Sequence, residues 1–279
     1  MKEPAAIAER EAASEGGPEP SPQAPRRMSR PAPAARRIAA QAGYETRAML
    51  RNGEQLLLLI ILPVMALFAL TWTDLLDGFL PAGAQRIDLA VPGVLALCVI
   101  SNAFSGQGIQ TGFDRRYGVL RQLSTTPLGR FGLIAGKSAA VLAVLAVQTI
   151  LISAVALLLG WRPEPGRLAA ALAVLVLGAA VFTGLGMLVA GTLRAEATLA
   201  VVNLLWVLLA AAGGTLAPSS ALPGVLGWAV AALPSAALGE SLRLILLGAG
   251  QCPLVLHLAI LLGWGLIGWP AAVRFFRWS

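Results

Sequence analysis

Charged residues make up only 13% of this 279-residue sequence, roughly half the share of a soluble globular chain. With 57% hydrophobic residues and a mean hydropathy of +0.75, that scarcity excludes most soluble folds and a wholly disordered chain. Histidine occurs once, as His257, which excludes a His-rich metal site. Cysteine occurs twice, as Cys98 and Cys252, without a CxxC pair, so neither a disulfide framework nor a zinc ribbon is available. No G-x-x-x-x-G-K-[ST] run is present, so the chain has no phosphate-binding loop of its own. What remains is an all-α, polytopic membrane protein.

The charges that are present fall in runs. Residues 1–37 carry seven prolines and few large apolar side chains, with Glu3, Glu9, Glu11, Glu15 and Glu19 first, then Arg26, Arg27, Arg30, Arg36 and Arg37. Such a segment buries too little apolar surface to offset its ordering entropy and reads as a disordered cytoplasmic tail. No apolar core follows its first basic residues, so it is not a secretory signal. Aromatics are not interleaved with the arginines, which argues against a nucleic-acid arm. From Ile38 to Asn52 the pattern is weakly amphipathic. Ile38, Ala42 and Met49 share one face, with Arg37, Gln41, Arg47 and Arg51 away from it. That suits a helix lying on the lipid surface, or simply a solvated approach to the first span.

Beyond Glu54, six stretches lack Asp, Glu, Lys and Arg altogether: 55–73, 89–113, 138–161, 168–193, 197–239 and 244–273. About 20 apolar residues cross a hydrocarbon core. Five stretches fit one crossing each, and the fifth, 197–239, holds one crossing and something more. The expected spans are 55–72, 89–112, 138–160, 168–190, 198–216 and 254–272. With the N-terminus inside, the cytoplasmic segments carry Arg115, Arg116, Arg121, Arg130, Lys137, Arg194, Arg274 and Arg277. The other side carries Arg86, Arg162, Arg167 and Arg243 among Asp74, Asp77, Asp88, Glu164 and Glu240. This asymmetry places both termini in the cytoplasm and explains the net charge of +7 by anionic lipid, without nucleic acid. Gly178, Gly184 and Gly186, with the small pairs Ala180/Gly184 and Gly186/Ala190, predict close helix packing in the fourth span. Pro63 predicts a kink in the first.

Two segments say more. Between spans two and three, Phe113, Tyr117, Leu120 and Leu123 recur at helical spacing, with Asp114, Arg116, Arg121 and Gln122 on other faces. This predicts an amphipathic, cation-rich helix over 113–126 that stops before Pro127. It is either an interfacial anchor or a docking helix for a cytoplasmic partner. From Pro218 to Gly248, Pro223 opens a helix that breaks before Pro234. Ser235 caps a second helix, and Gly248 ends it. On that helix Glu240 and Arg243 are three apart and able to pair. A broken hairpin on the outer side fits better than a seventh span, which would bury Pro234, Glu240 and Arg243 in mid-membrane. Polar side chains inside the spans are Asn102, Gln107, Gln110, Gln148, Asn203 and His257. They either line a substrate path or bond helix to helix. Ser105 with His257 is a conceivable hydrolase dyad, but a 1.5 Å rise puts Ser105 about 24 Å deep in its span against about 5 Å for His257.

The order of tail, interfacial helix, six spans, loop helix and outer hairpin resembles the ABC-2 type permeases, the membrane subunits of exporters such as the daunorubicin-resistance type. Asp114, Gly118, Leu123, Thr126, Pro127, Arg130 and Lys137 occupy the places of that family's signature between spans two and three. Asp114, Arg116 and Val119 stand where two Glu and a Thr are usual, and Leu233-Pro234 where an Asn-Pro is usual. The resemblance implies a permease without its own ATPase site. ATP and Mg would sit on a separate cytoplasmic ABC ATPase, which pushes on Asp114, Arg115, Arg116, Tyr117, Gly118, Leu120, Arg121 and Leu123. It also implies a second permease subunit, as homodimer or heterodimer, in the bacterial cytoplasmic membrane, exporting a hydrophobic or amphipathic substrate. A membrane scaffold that transports nothing is the remaining alternative.

Overall fold

The structure is a computed structural model that describes residues 32–51, 53–219, 224–248 and 253–276. The tail up to residue 31, Pro223, Cys252 and Arg277 lie outside the described residues. Helix α1 is Ala34–Arg51, so the last residues assigned to the tail are already helical. It is followed by α2 (Gly53–Trp72), a 3-10 turn (Asp74–Phe79) and α3 (Arg86–Arg116). Next come a short α4 (Val119–Ser124), α5 (Gly129–Leu158), α6 (Pro165–Thr192) and α7 (Ala195–Ala211). The last three are α8 (Gly224–Ala231), α9 (Pro234–Leu247) and α10 (Leu254–Phe275).

Four helices, α3, α5, α6 and α10, are each long and apolar enough to cross a membrane. The expected first and fifth spans correspond to α2 and α7. The apolar part of α2, Leu59–Trp72, and the whole of α7 are shorter apolar helices; α7 is roughly 25 Å long at 1.5 Å per residue. The pair α8 and α9 bends by 83° just before the last of these spans.

Lipid gives helices no hydrophobic reason to associate, so close backbone approach and hydrogen bonds must do it. Helix α6 supplies the approach, packing on α3, α5, α9 and α10. A Cβ on Gly184 would stand 2.7 Å from the Trp269 ring, whose Nε1 donates to the Ala180 carbonyl at 2.9 Å. The Ala180/Gly184 pair read from the sequence is therefore the seat of Trp269 on α10. Gly178 receives Leu238 of α9. A Cβ on Gly186 would stand 2.7 Å from the Phe104 carbonyl. Phe104 lies in a π-helical segment of α3, Ile100–Gly106, where the backbone carbonyls are displaced from their usual ladder. Ser101 in the same segment accepts a hydrogen bond from Trp206 Nε1 of α7 at 2.9 Å.

The end of the bundle near the 3-10 turn is clamped by Arg86, which pairs with both Asp74 and Asp77. The guanidinium holds the Asp77 carboxyl below its usual range by hydrogen bonding. At the same end, α7 stops at Ala211 and the chain from 212 to 217 threads between α3 and α9. Gly93 and Gly239 make room for its carbonyls, and Gly214 takes a left-handed φ of 71° against Ala236.

The helix break falls before Pro234, which takes the first turn of α9 where its missing N–H costs nothing. Gly248 ends α9 in the left-handed conformation, as its position predicts. Ser235, however, does not cap the helix. Its hydroxyl donates to the Gly213 carbonyl at 2.7 Å, because the threaded segment lies within reach. Arg243 and Glu240 pair at 3.3 Å, and both are buried. The guanidinium also donates to the carbonyls of Gly214 (2.6 Å) and Thr215 (2.9 Å), and Glu240 accepts from the Ser219 N–H at 3.0 Å. The pair thus satisfies backbone groups of the segment that follows α7. Arg243→Met strips these carbonyls and Glu240 of their partner and is expected to cost about 3–5 kcal/mol. Arg243→Lys recovers only part, since an ammonium lacks the planar fork. Thermal unfolding in detergent reads both.

Candidate functional site

The ends of five helices meet at the basic end of the bundle. Arg116 at the end of α3 pairs with Glu196 at the start of α7 at 2.8 Å. Arg130 at the start of α5 donates to the carbonyls of Val273 and Arg274 on α10. Gly191 on α6 packs against Phe276.

Helix α1 lies along α5 at this end; of the apolar face expected, Met49 is buried and Ile38 and Ala42 are half-buried, and polar residues are buried with them. Gln41, Glu45 and Met49, spaced four apart, are the buried residues. Opposite Gln41, α5 presents Gly136; a Cβ there would stand 2.7 Å from Gln41 Cγ. Beside Gly136 sits Lys137, fully buried. Its Nζ lies 2.8 Å from Glu45 Oε1 and 2.9 Å from Asp114 Oδ2. Gln41 donates to Glu45 Oε1 and Gln110 to Glu45 Oε2, both at 2.8 Å. One ammonium, two carboxylates and two amides therefore join α1, α3 and α5. The sequence reading missed Glu45. Its signal was a lone acid four residues after Gln41 on a helix otherwise rich in arginine.

The expected loop helix over 113–126 is two pieces. Helix α3 runs on to Arg116, and Gly118 turns the chain at a left-handed φ of 77°. A Cβ there would be strained, though nothing crowds it. Only Val119–Ser124 forms α4, and the chain leaves the helix at Thr125, as Pro127 requires. The eight candidate coupling residues are therefore sorted by the fold. Asp114 is engaged by Lys137. Leu120 is 1% exposed and packs with Leu133, Ile134, Met187 and Phe276, and the half-buried Leu123 lies against the same cluster. Leu120 is thus the foot that holds α4 on the bundle and does not face outward. Tyr117 is 73% exposed, its ring stacked with Phe113, and Arg116, Arg121 and Gln122 are exposed beside it. A cleft of about 410 Å³ lined by Arg115, Arg116, Arg194 and Glu196 opens next to this surface.

The polar residues of the spans divide as well. Asn102 on α3 donates to the Val141 carbonyl and to Gln148 on α5, each at 3.3 Å, and Gln148 donates to the Leu59 carbonyl of α2 at 2.7 Å. Gln107 lies against the Met49 sulfur of α1 at 3.6 Å. These three bond helix to helix inside the protomer. Asn203 is exposed on α7. His257 is buried on α10. Among the described residues its Nδ1 has no hydrogen-bond partner, and no hydrogen bond joins it to Ser105.

Replacing Lys137 with Met leaves Glu45 and Asp114 facing each other without a counter-charge. The expected loss is about 3–5 kcal/mol. Lys137→Met combined with Glu45→Gln recovers much of it, because the groups left buried can share hydrogen bonds without that charge. Unfolding midpoints of the single and double variants in detergent measure the difference.

No curated protein matches the sequence. The family model described as ABC-2 type transporter matches residues 38–247, from α1 to the last residue of α9. That range takes in the buried ionic cluster, the turn at Gly118 and the bent pair, and stops short of α10. The chain belongs to the ABC-2 type transporter family, as one of its polytopic membrane permeases.

Proposed function

We propose that this chain is the membrane-spanning subunit of an ATP-binding-cassette exporter of the daunorubicin-resistance type. It moves a hydrophobic or amphipathic substrate across the bacterial cytoplasmic membrane with ATP hydrolysed on a separate subunit, which also holds the Mg ion. The observation that supports this best is the surface around Tyr117. An aromatic and two arginines, Arg116 and Arg121, stand exposed on a segment whose other side is fixed to the bundle by Leu120 and by Asp114 on Lys137. An exposed aromatic ringed by charge suits a protein partner, where the apolar contact gives affinity and the charges set orientation. Fixing the back of that surface lets a push on it reach the helices.

The partner-facing residues on this reading are Arg116, Tyr117 and Arg121, with Gly118 setting the turn. Asp114, Leu120 and Leu123 act behind them. Tyr117→Asp with Arg121→Glu changes no buried contact, so the protein still inserts while the ATPase is released. Co-purification of the ATPase with the detergent-extracted variant decides it: undiminished co-purification and transport would make the segment an interfacial anchor.

The same reading has six crossings with both termini cytoplasmic. Helices α2 and α7 complete the four long spans, and α8 with α9 forms a hairpin that enters and leaves on the outer side. In a background lacking Cys98 and Cys252, cysteines at positions 82 and 164 are expected to react with an impermeant maleimide in intact cells, and one at 124 only after permeabilisation. Reaction at 124 in intact cells would reverse the orientation.

A further inference from the structure

Helix α6 ends at Thr192 and α7 begins at Ala195, so two residues, Leu193 and Arg194, carry the chain from one helix to the next. The cleft of about 410 Å³ opens beside this turn. Arg115 and Arg116 line it from the end of α3, Thr192, Leu193 and Arg194 from the turn, and Glu196 from the first turn of α7. Three guanidiniums therefore share the cleft with one carboxylate. That carboxylate is already paired, with Arg116 at 2.8 Å. Arg194 is exposed and, among the described residues, its guanidinium makes no hydrogen bond or ion pair. Cations held side by side repel one another, and an anion placed among them removes the repulsion. On the permease reading α6 and α7 cross the membrane and this turn is their cytoplasmic end, so the cleft opens at headgroup depth.

We propose that this cleft binds the phosphodiester headgroup of an anionic glycerophospholipid from the cytoplasmic leaflet. A guanidinium presents a planar fork of donors that takes two phosphate oxygens at once. Arg194 is the anchor on this account, and Arg115 and Arg116 add their charge around the same opening. Basic clefts between membrane helices on the cytoplasmic side suit such headgroups. Leu193, half-buried in the lining, gives the glycerol and the first methylenes an apolar contact, for which a free inorganic anion has no use. A carboxylate of the ATPase is the other anion able to reach Arg194. The lipid is favoured because the cleft lies at the root of two crossing helices, where headgroups surround it, and because its lining is part apolar. The bound headgroup adds a second tie between the start of α7 and the end of α3, beside the exposed Arg116–Glu196 pair. The proposal rests on the permease reading, which puts the cleft at the membrane surface.

The test uses the full chain with its co-expressed ATPase, extracted in mild detergent and washed free of lipid. Phosphatidylglycerol and phosphatidylcholine with the same acyl chains are titrated in, and bound lipid is counted by native mass spectrometry. Phosphatidylglycerol is expected to bind in preference to phosphatidylcholine. Arg194→Gln is expected to lower its affinity about fivefold, and Arg194→Gln with Arg115→Gln about 25-fold. Arg194→Lys keeps only part of the affinity, since an ammonium lacks the fork. Arg51→Gln, which removes an exposed arginine of α1 outside the cleft, is expected to leave it unchanged. The Arg194 guanidinium has no partner in the fold, so its replacement does not threaten folding. An equal loss with Arg51→Gln would reduce the effect to diffuse surface charge and overturns the proposal. So does equal binding of phosphatidylcholine. Inorganic phosphate that displaces phosphatidylglycerol would make the cleft a site for soluble anions, and overturns it as well. Arg194→Gln that releases the ATPase but leaves phosphatidylglycerol bound gives the cleft to the protein partner, with the same consequence. In each of these cases an ATPase that co-purifies with the unaltered chain leaves the permease reading standing. Failure of that co-purification counts against the reading itself, whatever the lipid does.

Discussion

Lys137 is the charge around which the basic end of the molecule is built. An ammonium taken wholly out of water is tolerated only when carboxylates and further hydrogen bonds replace its hydration. Here Glu45 and Asp114 do so from two different helices. The consequence is positional. Glu45 can reach Lys137 only if α1 lies against α5, and Gly136, where a Cβ would strike Gln41, is the residue that permits it. Asp114, four residues before the turn at Gly118, reaches it from the last turn of α3. The place of α4, and hence of the exposed Tyr117, follows from that one buried ion.

The opposite end is solved by the same chemistry with a different cation. Where α7 stops, the carbonyls of residues 213–217 would face a poorly hydrated interior. Arg243 offers a planar fork of donors that takes two of them and still holds Glu240. Between these ionic ends the bundle is held by close contact and by hydrogen bonds such as Asn102 to Gln148 and Trp269 to the Ala180 carbonyl. Glycines of α6 receive Trp269, Leu238 and the displaced carbonyl of Phe104. Such packing suits a lipid environment, where neither solvent exclusion nor surface charge is available to hold helices together.

Much of this architecture was legible in the sequence. Uninterrupted apolar runs locate the long helices, and Pro234 and Gly248 mark the start and end of α9. The spacing of Glu240 and Arg243 announces their pair, and Ala180/Gly184 announces a close helix contact. What escaped has a common physical origin. Periodicity sorts side chains by polarity and sends polar groups outward, so Gln41 was turned the wrong way and Glu45 was missed. Their burial depends on a lysine some ninety residues further along, at Lys137. Leu120 was given to a partner because an apolar stripe on a short helix does not say which apolar surface will cover it. Ser235 followed a local capping rule and lost to a nearby carbonyl that only the folded hairpin supplies. The π-helical segment of α3 has no compositional trace; it lies where Gly186 and Trp206 meet α3 from two other helices.

These features also bear on how motion would pass through the molecule on the proposed reading. Force applied at Tyr117 enters a segment anchored by Leu120 in a cluster that includes residues of α5 and α6 and Phe276 beyond the end of α10. Through Asp114 and Lys137 it reaches α1 as well. These elements respond together, because no one of them can shift without breaking a buried ion pair or opening a void. Helix α7 stands apart. It packs chiefly on α3. At the basic end it is tied by an exposed ion pair, Arg116 with Glu196, of a kind that contributes about 0–1 kcal/mol. Its main lateral contacts fall on and beside the π-helical segment, where α3 is least regular. The weak tie and the irregular partner coincide on α7, so on this reading α7 is the helix least bound to the motion of the rest.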